Sequence, residues 1–185
     1  MLNQLTGAAR YALGVTIKCA TAFKCNLHNS KVKFFRSLNG ILGKLGSNPP
    51  ISTTLHLIST FCNPVLFYGL EALKLNKAEI NHISYPFNSA YMKLFSTFDN
   101  SIVTLCQFYS GYLPLSYMLD LRTLNFYTNL SVNNGAPANV LFRWLGQGER
   151  DVLALKHNIA NAIQSNNAIK YMVYQSFRDN VSVLL

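Results

Sequence analysis

The chain has 185 residues, half of them apolar and 12% charged, with a formal net charge of +9 and a sequence pI near 9.5. That length fits one domain, or one domain with an appendage. The apolar share allows a sizeable core, and the basic balance points to a polyanionic partner, nucleic acid first and a membrane surface second. Neither a signal peptide nor a membrane span is expected. MLNQLTGAAR has no basic start ahead of a long apolar run, and the greasiest region, 55–75, is broken by His56, Asn63, Pro64 and Glu71.

Residues 11–18 alternate weakly, with β-branched Val15, Thr16 and Ile17 after Gly14, which predicts a short strand in a chain whose other signals are helical. Residues 19–29 read as a loop or a second short extended piece. Asn29 or Ser30 is suited to cap the helix that follows. In that helix, KVKFFRSLNGILGKLG, the apolar Phe34, Phe35, Leu38, Ile41, Leu42 and Leu45 fall on one face. Lys33, Arg36, Gly40 and Lys44 fall on another, spaced three, four and four apart. Gly40 and Gly43 each weaken a helix by about 1 kcal/mol against Ala, but they leave a smooth stripe that another backbone can approach. Gly46 and the SNPP loop stop the helix.

A second helix is expected from Ser52 or Thr53, with Leu55, Ile58, Cys62, Val65 and Leu66 as its buried stripe and a kink or break at Pro64. Asn76 with Glu79 three residues on reads as an N-cap, opening a third helix to about Ser96. Its inward side is Ile80, Ile83, Phe87, Tyr91 and Leu94, and Pro86 blurs its start. Asp99 is placed to cap a short helix through Tyr109, and Pro114 suits the first turn of another through about Leu130. Asn133-Asn134-Gly135 reads as a turn. Residues 138–185 read as two or three further helices, the last amphipathic with a frayed SVLL tail. The expected fold class is therefore mainly α, with a short N-terminal β-strand or hairpin.

Charge is unevenly placed. From Met1 to Leu70 the bases are Arg10, Lys18, Lys24, Lys31, Lys33, Arg36 and Lys44, with no Asp or Glu, so that third carries +7 and the rest +2. A one-sign segment with Phe23, Phe34 and Phe35 among its bases favours binding to a phosphate backbone. Catalytic chemistry is not evident. Of the seven acids only Glu149 and Asp151 are near neighbours, with Arg150 between them, whereas two-metal phosphoryl transfer needs carboxylates that hold metals about 4 Å apart. There is no Walker loop, GxSxG elbow or HExxH. His28, His56, His82 and His157 are single and scattered, and read as surface or satisfied helix residues. Cys19, Cys25 and His28 lack CxxC spacing and an evident fourth ligand, so no metal is expected there. The four cysteines, Cys62 and Cys106 included, read as reduced and mostly buried thiols of an intracellular protein.

The run ALGVTIK, the basic segment and KVKFFRSLNGILGKLG, followed by HLISTFCNPVLFYGLEALKLNKAEINHI, resembles the region after the catalytic core of non-LTR (LINE-type) retrotransposon reverse transcriptases. The resemblance covers roughly residues 11–130 and is weaker after 131. It implies that residues 1–28 are the remnant of a palm strand, 29–131 a helical thumb-like domain containing Tyr68-Gly69-Leu70-Glu71, and 132–185 a post-thumb segment. Leu13, Gly14 and Val15 then stand at the primer grip, with Ala12 where the family has Tyr. Lys31, Lys33, Arg36, Gly40 and Lys44 become the contacts to the backbone of an RNA–DNA hybrid. The palm motifs and their paired aspartates, which hold magnesium in the complete enzyme, are not in this sequence and would lie before Met1. The expectation is a truncated copy that needs no cofactor, pairs with a missing palm if with any protein, and does not polymerise by itself. The alternatives are a relic that does not fold stably and a helical module for a protein or a membrane surface.

Overall fold

A computed structural model describes residues 10–12, 15–18, 24–46, 49–132, 137, 140, 142–160 and 165–182. The fold is mainly α. It divides into two compact units, the first formed by Met1–Gly69 with Lys74–Ser96 and the second by Leu70–Leu73 with Thr97–Leu185.

In the first unit, three short backbone segments pair antiparallel: β1 (Arg10–Ala12), β2 (Val15–Lys18) and β3 (Lys24–Cys25). Arg10 stands opposite Ile17, and Lys18 opposite Lys24. Helix α1 (His28–Leu45) follows. Neither Asn29 nor Ser30 caps it. It begins earlier, at Leu27, without a side-chain cap, and the His28 N–H instead donates to Asn26 Oδ1 at 3.0 Å. Gly46, at φ +76°, ends it in the left-handed region that glycine adopts without strain.

Helix α2 (Ile51–Leu57) starts directly after Pro50, one residue ahead of the expected Ser52. The Thr54 hydroxyl donates back to the Pro50 carbonyl at 3.0 Å. The break expected at Pro64 takes the form of a π turn, Ile58–Cys62, followed by α3 (Asn63–Phe67). Proline offers no N–H and its ring crowds the carbonyl four residues back, so the ladder widens just ahead of it. There the Asn63 N–H reaches the Ile58 carbonyl, five residues back.

Helix α4 (Lys77–Phe95) opens on the expected capping box. Asn76 Oδ1 accepts from the Glu79 N–H and Glu79 Oε2 from the Asn76 N–H, each at 2.9 Å. Pro86 does not interrupt this helix; it lies inside it and is buried. Helix α1 packs on α3, the π turn and α4 around Phe34, Leu38, Ile58, Cys62, Phe67, Ile83, Phe87 and Tyr91. The Phe67, Phe87 and Tyr91 rings stack in series at centroid spacings of 5.6 and 5.4 Å. Burial pushes the Cys62 thiol up to about 11, so it stays a neutral apolar filler.

The second unit holds α5 (Asn100–Tyr109), α6 (Leu115–Val132), a π turn at Phe142–Gly146, α7 (Gln147–Lys156) and α8 (Asn166–Ser182). Asp99 caps α5 as expected, its Oδ1 accepting from the Ser101 N–H at 2.8 Å. The Pro114 carbonyl accepts the first bond of α6, from Met118. Ile169, Val173, Phe177 and Val181 recur every four residues on α8 and meet Leu113, Leu121, Leu124, Ala154 and Ile159 in one core. The Asn133–Gly135 turn and the tail from Val183 lie outside the described residues.

Candidate nucleic-acid interface

The apolar stripe of α1 decides which side of the helix stays free. Phe34 and Leu38 are fully buried, and Phe35, Ile41, Leu42 and Leu45 are half-buried. That rotation turns Lys33, Arg36, Gly40, Gly43 and Lys44 outward, and all five are exposed. Among the described residues, none of Lys33, Arg36 and Lys44 forms an ion pair with an acid. A Cβ placed on Gly40 or Gly43 would meet no atom within 4 Å. The two glycines are therefore not required by internal packing, and a partner backbone can approach the helix at both.

Lys31 takes a different position from the other bases. It is half-buried, with its ammonium 5.0 Å from the centre of the Tyr85 ring. Tyr85 belongs to α4 and is 62% exposed, and the Phe35 ring meets it at 6.4 Å. The arrangement is a cation over one ring, Tyr85, which a second ring, Phe35, meets in turn. Lys93, also on α4, donates to Asn39 Oδ1 at 3.1 Å and so joins that face from the neighbouring helix.

Leu13 and Gly14 of the primer-grip reading lie outside the described residues, and Val15 falls in β2. Tyr85 and Lys93 did not emerge from the sequence. One signal was available: Tyr85 is a large aromatic outside the inward set of α4, which marks an exposed ring.

The division into units sharpens the charge map. The first unit contains ten of the sixteen Lys and Arg but only one of the seven acids, Glu79, whereas the second contains six of each. The formal excess of +9 thus belongs wholly to the first unit, and the carboxylate of Glu79 is already engaged in the α4 cap.

Three acids of the second unit are engaged in contacts within it. Asp120 meets Lys156 at 2.6 Å and His157 at 3.0 Å, Glu149 accepts from the Tyr127 hydroxyl at 2.8 Å, and Glu71 pairs with Arg122 at 3.5 Å. Burial, then Glu149, pushes the Tyr127 hydroxyl up to about 12. Of the histidines, His28, His56 and His82 are exposed, while His157 is buried and bonded at both ring nitrogens. No helix among the described residues is long and apolar enough to cross a membrane. No family model, curated protein or solved structure matches the chain.

Proposed function

We propose that the chain is a thumb-like segment of a non-LTR retrotransposon reverse transcriptase, that it grips an RNA–DNA hybrid by the phosphate backbone through α1, and that it carries out no polymerisation by itself. The observation that carries this reading is the concentration of the whole net charge in the first unit, with the unpaired Lys33–Arg36–Lys44 stripe on its surface. In this reading the N-terminal segment is the last strand of a palm, and Leu13, Gly14 and Val15 stand at the primer grip.

The geometry suits backbone contact. From Lys33 to Lys44 the helix rises about 16 Å at about 1.5 Å per residue. A duplex axis of that length carries about five phosphates per strand. Contacts of this kind position a duplex without reading its bases. Arg36 can fork two N–H donors onto one phosphate, whereas the lysines act as point charges.

The test is a fluorescence titration with an RNA–DNA hybrid at two salt concentrations, using wild type and the Lys33→Ala/Arg36→Ala/Lys44→Ala variant. The variant should bind at least tenfold more weakly at low salt, and equal binding by both proteins would sink the assignment. A second reading rests on exposed apolar side chains such as Trp144, 84% exposed, and Leu155. It predicts that cosedimentation with anionic liposomes exceeds hybrid binding. A melt without a cooperative transition would instead favour a relic that does not fold stably.

A further inference from the structure

The second unit contains a cleft of about 380 Å³ between the end of α5, with the turn after it, and one face of α8. That volume lies in the range of small-ligand sites, about 300–1,000 Å³. Five of its lining residues are aromatic, Tyr112, Tyr171 and Tyr174 among them, and they stand together with Gln175 and Arg178. Tyr171, Tyr174 and Arg178 recur at three- and four-residue spacing, which sets them in a row along α8. None of the lining side chains among the described residues is acidic.

The back wall is held in place. Gly111, at φ +73°, turns the chain after α5, and its carbonyl accepts from the Tyr174 hydroxyl at 3.0 Å. The Tyr112 N–H donates to the Gln107 carbonyl at 2.9 Å, fixing the next residue of the same turn. Burial, then the neighbouring Tyr112, raises the Tyr174 hydroxyl above the usual phenol range, so it stays a donor at neutral pH. The opposite side is open, since Tyr171 is 62% exposed and Arg178 is exposed. Lys170 adds a second cation, its ammonium 5.9 Å from the centre of the Tyr174 ring.

Rings with cations at their margin, and no carboxylate among them, suit a ligand that is flat and aromatic at one end and anionic at the other. An acyl chain would offer no polar group to the Tyr112 and Tyr171 hydroxyls, Gln175 or Arg178. We propose that this cleft binds a nucleotide, with the base stacked among the tyrosine rings and the phosphate against Arg178. The nucleotide is either free or an unpaired residue of a single strand. Base–aromatic stacking tolerates any base, so the site discriminates by charge and flatness more than by sequence. The assignment does not depend on the basic face of α1, which belongs to the other unit.

The test is calorimetric titration of the full chain with adenosine 5′-monophosphate, adenosine and a short single-stranded oligothymidylate. Adenosine monophosphate should bind more tightly than adenosine. Tyr171→Ala and Arg178→Ala should each weaken it about tenfold, and Tyr171→Phe should bind as wild type. Both positions are exposed, so the variants keep the core, and a circular dichroism melt verifies it. The Lys33→Ala/Arg36→Ala/Lys44→Ala variant should bind adenosine monophosphate unchanged, which separates this site from the α1 assignment. If the occupant is an unpaired residue of a strand, the same losses appear with oligothymidylate in that triple-variant background and not with the mononucleotide. Indifference of both titrations to Tyr171→Ala and Arg178→Ala would overturn the proposal, as would adenosine binding as tightly as its monophosphate where the mononucleotide titration shows those losses.

Discussion

Asp120 joins three elements of the second unit through one carboxylate. Its Oδ2 meets Lys156 at 2.6 Å and His157 Nε2 at 3.0 Å, and the far nitrogen of His157 lies 3.1 Å from Ser176 Oγ on α8. Burial by itself would raise the Asp120 carboxyl. The hydrogen bonds and charges of His157 and Lys156 outweigh that and hold it below the ordinary carboxylate range. A carboxyl depressed in the folded state stabilises the fold above its unfolded value, near 3.9. That contribution is lost as pH falls from there through the lower folded value. Asp120→Asn should therefore lower stability by about 2 kcal/mol at neutral pH, the scale of a hydrogen bond to a charged group. It should also flatten the acid side of the melting profile, which thermal melts between neutral and strongly acid pH would measure. Gly146 is constrained in another way. A Cβ there would stand 2.7 Å from the Tyr127 ring and 2.9 Å from Phe142. Gly146→Ala should cost about 1–3 kcal/mol by overpacking, read as a lower urea midpoint at unchanged slope.

At the scale of the element, α1 sets stability against the proposed contact. Gly40 and Gly43 lie inside a helix, with open space around each. Alanine at either position should stabilise the fold by up to about 1 kcal/mol, raising the melting temperature. If the smooth stripe serves backbone approach, the same substitutions weaken hybrid binding, so the two readouts move in opposite directions. A rise in melting temperature with unchanged binding would make the glycines incidental. The elements themselves were largely legible. The capping box of α4 and the Asp99 cap of α5 are short-range signatures, and the stripes of α1 and α8 follow the helical period. The starts of α1 and α2 were not, because both helices begin ahead of the better-looking candidates without a side-chain cap, the His28 N–H donating to Asn26 Oδ1 and the Thr54 hydroxyl to the Pro50 carbonyl. Pro86 blurred the start of α4 in the sequence, but a buried proline with packing on its flanks removes one bond and does not end the helix, which opens at Asn76 as expected.

Across the whole molecule the charge follows the division into units, all of the excess lying in one and none in the other. If three side chains of α1 each neutralise a phosphate, the slope of log affinity against log salt should fall by about two to three in the triple variant. Arg143→Ala, in the neutral unit, should leave that slope unchanged. Titrations at several salt concentrations would measure both. Readable from the residues in order were the helical class, the caps of α4 and α5, the acid-free basic segment and the outward row of Lys33, Arg36 and Lys44, since periodicity and local charge are properties of neighbours in the chain. Tertiary structure alone decided that Lys93 and Tyr85 stand beside that row, that Asp120, His157 and Ser176 form one chain of bonds, and that the rings of α5 and α8 enclose a cleft. These are meetings between residues about 20 to 70 positions apart. They depend on how buried faces pack against one another, which no local pattern encodes.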